Sequence, residues 1–332
     1  MFFFYAIVTE NVTGDGAAMS AAARALCSPE KAAPRRLPAT ELYGMKRNIR
    51  KVHAAAYAPI SDLVTYRALP TAALPMNALD PFLFLNHHGH QVYPAGNGGL
   101  PFGPHPHRGF ETVTFILEGD LMHQDSSGAS SIITAGGVQW MTAGSGLVHA
   151  ELSSDAFKEK GGPLEILQLW VNLPARLKMT PPKYTGLQRA DIPVLKLAHD
   201  QVSLHAVSGT WWGCKGPVEP LTDTELCWMT WNGGAALELS IPPERTVLFY
   251  VVRGTFLVNG TTLMAHQLAE FGHEGDGLHI EAPEDGLLLL GHAAPFREPI
   301  VAYGPFVMNT EEEIRQAYAD WEQGRFGNGD LG

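Results

Sequence analysis

Glu111-Thr112-Val113-Thr114-Phe115-Ile116-Leu117-Glu118-Gly119-Asp120-Leu121-Met122-His123-Gln124 reads as two short strands joined at a glycine turn. The first run is rich in β-branched and aromatic side chains, and Gly119 closes it. The same rhythm continues through Ser130 to Thr134, Val138 to Thr142, Leu147 to Leu152 and Leu164 to Asn172. Turn residues separate these runs at Ser126-Ser127-Gly128, Gly136-Gly137 and Gly144-Ser145-Gly146. With no helical run between them, the strands predict an all-β sandwich or small barrel, not a parallel sheet with crossover helices.

The pattern then repeats. Thr112-Val113-Thr114-Phe115, followed by Gly119, is echoed 134 residues later by Thr246-Val247-Leu248-Phe249, followed by Gly254. Gly144-Ser145-Gly146-Leu147 is echoed 131 residues later by Gly275-Asp276-Gly277-Leu278. Two tandem β-domains are expected, 45–185 and 186–332. Thr310-Glu311-Glu312-Glu313 is a capping box, so the second domain is expected to include a closing helix over 311–323. Residues 1–44 read as an extension: Pro29, Pro34 and Pro38 lie among charges, and the apolar Met1 to Val8 fits neither a signal peptide nor an anchor. Met45 opens the basic stretch Lys46-Arg47-Asn48-Ile49-Arg50-Lys51, and is either an alternative start or the edge of the folded unit.

The chain has 332 residues, with 34 acidic against 23 basic side chains and a net charge of −11. That sign opposes direct binding to nucleic acid or anionic lipid. Apolar runs such as Leu287 to Leu290 stop far short of the roughly 18 residues a membrane span needs. The scattered Cys27, Cys214 and Cys227 make neither a disulfide framework nor a thiolate cage, so a cytoplasmic protein is expected. Histidine is the unusual residue, with 14 copies.

His105-Pro106-His107 puts two imidazoles on one face of a strand, and His149-Ala150-Glu151 does the same with an imidazole and a carboxylate. On adjacent strands of one barrel the four side chains would converge on a divalent first-row metal.

These residues carry a family resemblance. Gly99, His105, His107, Glu111 and Gly119 resemble the first cupin motif; Gly137, Gly146 and His149 resemble the second. The surrounding text is similar to the pirins: Asp80-Pro81-Phe82-Leu83-Phe84, Pro104-His105-Pro106-His107-Arg108-Gly109-Phe110-Glu111-Thr112-Val113, Gln139-Trp140-Met141-Thr142-Ala143-Gly144, Leu167-Gln168-Leu169-Trp170-Val171-Asn172, and Gly304-Pro305-Phe306-Val307-Met308-Asn309-Thr310. The resemblance implies a bicupin, two tandem cupin-type barrels, with one Fe(II) per chain held by His105, His107, His149 and Glu151. Other divalent first-row metals suit the same ligands. It further implies a quercetin 2,3-dioxygenase-type reaction: ring opening of a small aromatic, flavonol-like substrate by O₂, with Glu151 as catalytic base. The alternative it offers is a redox-sensing regulator acting through a protein partner, nuclear in a eukaryote.

Glu111 shares strand parity with His105 and His107, which makes it either a ligand or an acceptor for an imidazole N–H. Gln168 is a lone amide between Ile166 and Trp170, either a structural hydrogen bonder or a pocket group. His87, His88 and His90 flank Gly89 and read as a solvated loop at a barrel mouth, while Trp140, Trp170, Phe110 and Phe115 read as core. In the second half, the repeat offsets put Leu239, Ile241, Ile280 and Ala282 where the four ligands stand, so no metal is expected there.

Overall fold

Strand Phe110–Glu118 ends at Gly119, whose φ of +82° makes the turn into strand Asp120–Asp125. The alternation of the first strand sorts its side chains between two environments. Val113 and Phe115 pack in one apolar cluster, while Thr114 points the other way, to Glu151. The computed structural model, which describes residues 44–327, is built from this sorting repeated twice.

The first barrel is a seven-stranded antiparallel sheet facing a four-stranded one. The larger contains Phe82–Tyr93, Phe110–Glu118, Val138–Thr142 and Gly162–Asn172. The smaller contains Phe102–His107, Leu147–Leu152, Asp120–Asp125 and Ser130–Thr134. The second barrel repeats the plan with another seven-stranded and four-stranded sheet. The fold is a bicupin, as the sequence predicts.

The two large sheets pack back to back. Val113, Phe115, Trp140, Leu167 and Leu169 of the first share one buried cluster with Leu226, Trp228, Leu248, Tyr250 and Leu289 of the second. Removing each such side chain from water contributes about 1.5–3 kcal/mol, which fixes the barrels together.

The interiors differ sharply. The second barrel is filled by Met229, Trp231, Val247, Phe249, Val251, Ile280 and Leu290, an apolar core. Inside the first lie Thr114, Gln139, His149, Glu151 and Gln168, joined by hydrogen bonds or ring contacts. One face of its large sheet is sealed against the second barrel, and Gln168 sits on a central strand of that sheet. The partial exposure of Gln168 and Trp170 is therefore exposure to a hollow inside the first barrel.

Both ends of the chain cross over, contrary to the expected domain limits. Strand Ile49–Ala54, expected in the first domain, pairs with Gln267–Phe271 of the second sheet system. Just before it, Arg47 is buried and donates to the carbonyls of Gly272, Pro242, Pro243 and Arg245 at 2.6–3.2 Å. Conversely, helix Glu311–Glu322, expected in the second domain, docks on the first barrel, where Val148 packs with Phe306, Met308, Ile314, Ala317 and Phe326. The capping box read in the sequence is present at Thr310 and Glu313. Lys178 Nζ donates to the carbonyls of Gly109 and Val307 and to Asn172 Oδ1, fastening the returning segment. Spacing could not show either exchange, because the first depends on which sheet edge is left open and the second on which barrel face the helix covers. The extension expected before Met45 lies, apart from Gly44, outside the described residues.

Candidate metal centre

Strand Phe102–His107 pairs antiparallel with Leu147–Leu152, setting His105 opposite His149 and His107 opposite Leu147. The three imidazoles face inward, with ring centroids 4.3 Å (His105–His149), 4.8 Å (His105–His107) and 4.9 Å (His107–His149) apart. Their nitrogens can all lie within 4.8 Å of one another, and among the described residues no other such group of three potential ligands occurs.

Backbone carbonyls orient two of the rings. Nδ1 of His105 donates to the carbonyl of Gly103 at 2.7 Å, and Nδ1 of His107 donates to that of Pro305 at 3.1 Å. A carbonyl only accepts, so each ring carries its proton on Nδ1 and keeps Nε2 bare. His149 is fully buried with neither nitrogen hydrogen-bonded. A buried polar group without a partner is costly, so its environment suits an ion. Burial, reinforced by the neighbouring imidazoles, pushes His149 well below the ordinary histidine range. Burial and His105 push His107 down to about 3, against the opposing effect of the Pro305 carbonyl. Both are neutral near pH 7, the form that binds metal.

Glu151 shares this face, buried, but its carboxylate lies outside the mutually close group. Oε1 accepts from Thr114 Oγ1 at 3.2 Å and from the amide of Gln139, and Oε2 accepts from the amide of Gln168. Burial raises its affinity for a proton, partly offset by His105, His123 and these donors. An ionised carboxylate offers about four lone-pair directions, so three donors leave one open on Oε2.

Glu111 stands apart from the imidazoles. The chain passes from the small sheet to the large one at Arg108-Gly109, where Gly109 has φ +89° and a Cβ would meet the Val307 carbonyl at 2.0 Å. Parity counted through that corner does not hold. Glu111 Oε1 accepts from Thr142 Oγ1 at 2.6 Å, and burial raises its pKa.

His87, His88 and His90 lie on strand Phe82–Tyr93, not in a loop, and the first two are buried. His87 bridges the barrels, within 3.0 Å of Tyr250 Oη and of Glu165 Oε1. Phe110 is core, fully buried with Leu83 and Val307, whereas Trp170 is partly exposed: it lies 4.4 Å from Phe110 and edge-on to His107 at 5.3 Å between centroids. His123, a lone histidine without paired spacing, was not expected at the site. It pairs with Asp125 at 2.8 Å, stacks on Tyr184 at 4.1 Å, and its ring centre is 5.5 Å from that of His149. The one sequence signal for it is its inward place between Leu121 and Asp125.

In the second barrel, Leu237 faces Ile280 and Leu239 faces Leu278, the positions matching His105–His149 and His107–Leu147. The correspondence is two residues off the sequence offset on this strand, and none of these side chains ligates a metal.

Comparison with known proteins fits this plan of two barrels. The pirin family model matches residues 63–171, and that of the pirin C-terminal cupin domain matches residues 227–327. The chain belongs to the pirin family. A pirin-like protein of Solanum lycopersicum is 38% identical over 84% of this chain and 92% of its own length. A Pseudomonas aeruginosa protein provisionally named quercetin 2,3-dioxygenase is 40% identical, over 81% of this chain and 92% of its own. The crystal structure of quercetin 2,3-dioxygenase from Acinetobacter baumannii superposes with a TM-score of 0.80 at 35% identity, covering 86% of this chain and 99% of that one. In this pirin the family's two cupin units are the two barrels, with the ends exchanged between them.

Proposed function

We propose that this pirin is an Fe(II)-dependent dioxygenase of the quercetin 2,3-dioxygenase type, acting on a flavonol-like aromatic in the hollow of the first barrel. The observation that carries it is the buried His149 with two unpartnered nitrogens, beside two imidazoles whose Nδ1 protons are already taken by carbonyls. His105, His107 and His149 would hold the metal through nitrogen, and Glu151 would add the open lone pair of Oε2. Bound there, the metal supplies Lewis-acid and redox chemistry toward O₂ and the substrate hydroxyl.

The residues of the chain do the rest. Gln139, Gln168 and Thr114 hold the Glu151 carboxylate in place; its single open position on Oε2 serves as ligand or as proton acceptor, not both at once, so Glu151 takes the hydroxyl proton in the form that has that position free. Trp170, backed by the buried Phe110, forms an apolar wall against which a planar ring can lie, and it keeps water from that side. The relatives' names support the substrate class. The decisive experiment is anaerobic metal analysis of purified protein, followed by oxygen uptake with and without flavonols. One iron per chain and flavonol-dependent uptake are expected; metal-loaded protein with no flavonol-dependent uptake overturns the reading.

A further inference from the structure

Arg67 lies on strand Thr65–Leu69, opposite Asn86 on Phe82–Tyr93, on the face of the large sheet that looks into the hollow. Its Nε donates to Asn86 Oδ1 at 2.5 Å, and its guanidinium carbon lies over Phe84, 4.2 Å from the ring centre. Phe84 stacks on Trp170 at 4.5 Å, and Trp170 meets His107 edge-on at 5.3 Å. A continuous aromatic wall thus runs from the imidazole cluster to this cation.

Among the described residues no carboxylate pairs with Arg67, although it is half-buried and burial lowers its pKa with nothing acidic to offset it. An immobilised guanidinium without a counter-ion, its terminal nitrogens unused, is a ready receptor for an anionic oxygen. Two residues beyond Asn86, on the same face, His88 adds a second unfilled group. Thr65 Oγ1 donates to the Leu63 carbonyl, so His88 Nδ1 donates to Thr65 at 2.9 Å, and Nε2 is left buried, bare and unpartnered.

We infer that Arg67 is the anion-binding, specificity-determining residue of the hollow: it takes an ionised oxygen, phenolate or carboxylate, of an aromatic ligand lying along the Trp170–Phe84 wall. The inference rests on the proposed reaction only for the identity of that ligand. It predicts selection for aromatics that carry an acidic oxygen remote from the atoms meeting the imidazoles.

The test uses the full chain, metal-loaded and anaerobic, with Arg67→Met, which keeps a flexible apolar stem over Phe84, and Arg67→Lys, which keeps the charge. The probes are 2-naphthoate and its neutral twin 2-naphthamide, titrated by calorimetry. Arg67→Met should weaken naphthoate binding about 10- to 100-fold and leave the amide unchanged, with Arg67→Lys between. In turnover, Arg67→Met should raise KM for a ring-hydroxylated flavonol, but not for unsubstituted 3-hydroxyflavone, with little change in kcat. Equal losses for both probes, or none for naphthoate, overturn the inference. Protein that turns over no flavonol yet shows the Arg67-dependent naphthoate binding supports it, and the failure then belongs to the proposed reaction alone.

Discussion

Arg108, immediately after the His105-Pro106-His107 pair, places Nη1 2.8 Å from Oδ2 of Asp320 in the C-terminal helix, 212 residues away. The same guanidinium covers the Phe326 ring at 4.5 Å, and its Nε donates to the Ser145 carbonyl at 2.7 Å. Arg108 thus joins the imidazole strand, the loop before His149, and the helix that returns from the far end of the chain. The carbonyl of Pro305, which orients His107, arrives on that same returning segment.

Asp320→Ala is therefore expected to do two things. Loss of a carboxylate that takes charged donors from Arg108 and Arg325 should cost about 2 kcal/mol of stability. It should also weaken metal retention, because His107 loses part of its support. A chelator competition series checks the second effect, and unchanged metal affinity in a destabilised variant refutes the link.

Glu151→Gln keeps shape and an oxygen donor but removes charge and basicity. Three imidazoles remain, so the variant should bind metal more weakly yet lose flavonol-dependent oxygen uptake by about 100-fold or more. Glu111→Gln, whose carboxylate contacts Thr142 instead of the imidazoles, should leave metal content intact. The reverse pattern assigns the carboxylate to the wrong strand.

Acid should destabilise the fold before carboxylates titrate. Burial, with Arg189 and Lys196 adding to it, holds His205 at about 4; burial and Arg245 hold His292 at about 3. In the unfolded chain both titrate near 6.5, so between these values the unfolded state binds more protons and stability falls as pH falls. Each site contributes a slope of up to about 1.4 kcal/mol per pH unit. His205→Phe keeps a ring to stack on Trp228, now at 4.4 Å, and should flatten the dependence by one site. Denaturant titrations from pH 7 to 4.5 read this directly; an unchanged slope contradicts it.

A chain beginning at Met45 should retain the cooperative melt, since it keeps Arg47 and strand Ile49–Ala54. One beginning at Ala55 should not, because it strips an edge strand and a buried guanidinium bonded to several carbonyls. Equal melting of the two truncations counts against this role for the edge strand.

Much of this molecule is legible in its sequence. Glycine turns at fixed offsets show the duplicated barrel, and two paired spacings, His105 with His107 and His149 with Glu151, mark the site. What escapes has a common cause. Glu111 is misplaced because parity does not survive the corner at Gly109. His123, Gln139 and Arg67 reach the hollow on strands whose neighbours are set by sheet order, and a single polar residue in an alternating strand does not announce which face is hollow. The exchanged ends escape for the same reason: pairing partners more than 200 residues apart leave no local signature.

The exchange of ends also orders events during synthesis. A ribosome making this chain releases every imidazole of the cluster long before it releases Pro305 and Asp320, so the contacts that orient His107 and Arg108 wait for residues at the far end of the message. The second barrel, by contrast, has its borrowed strand in hand from the start. Each half cut out alone loses an element that reaches it from the other end of the chain, and His107 gains the Pro305 carbonyl only once the C-terminal segment has been made.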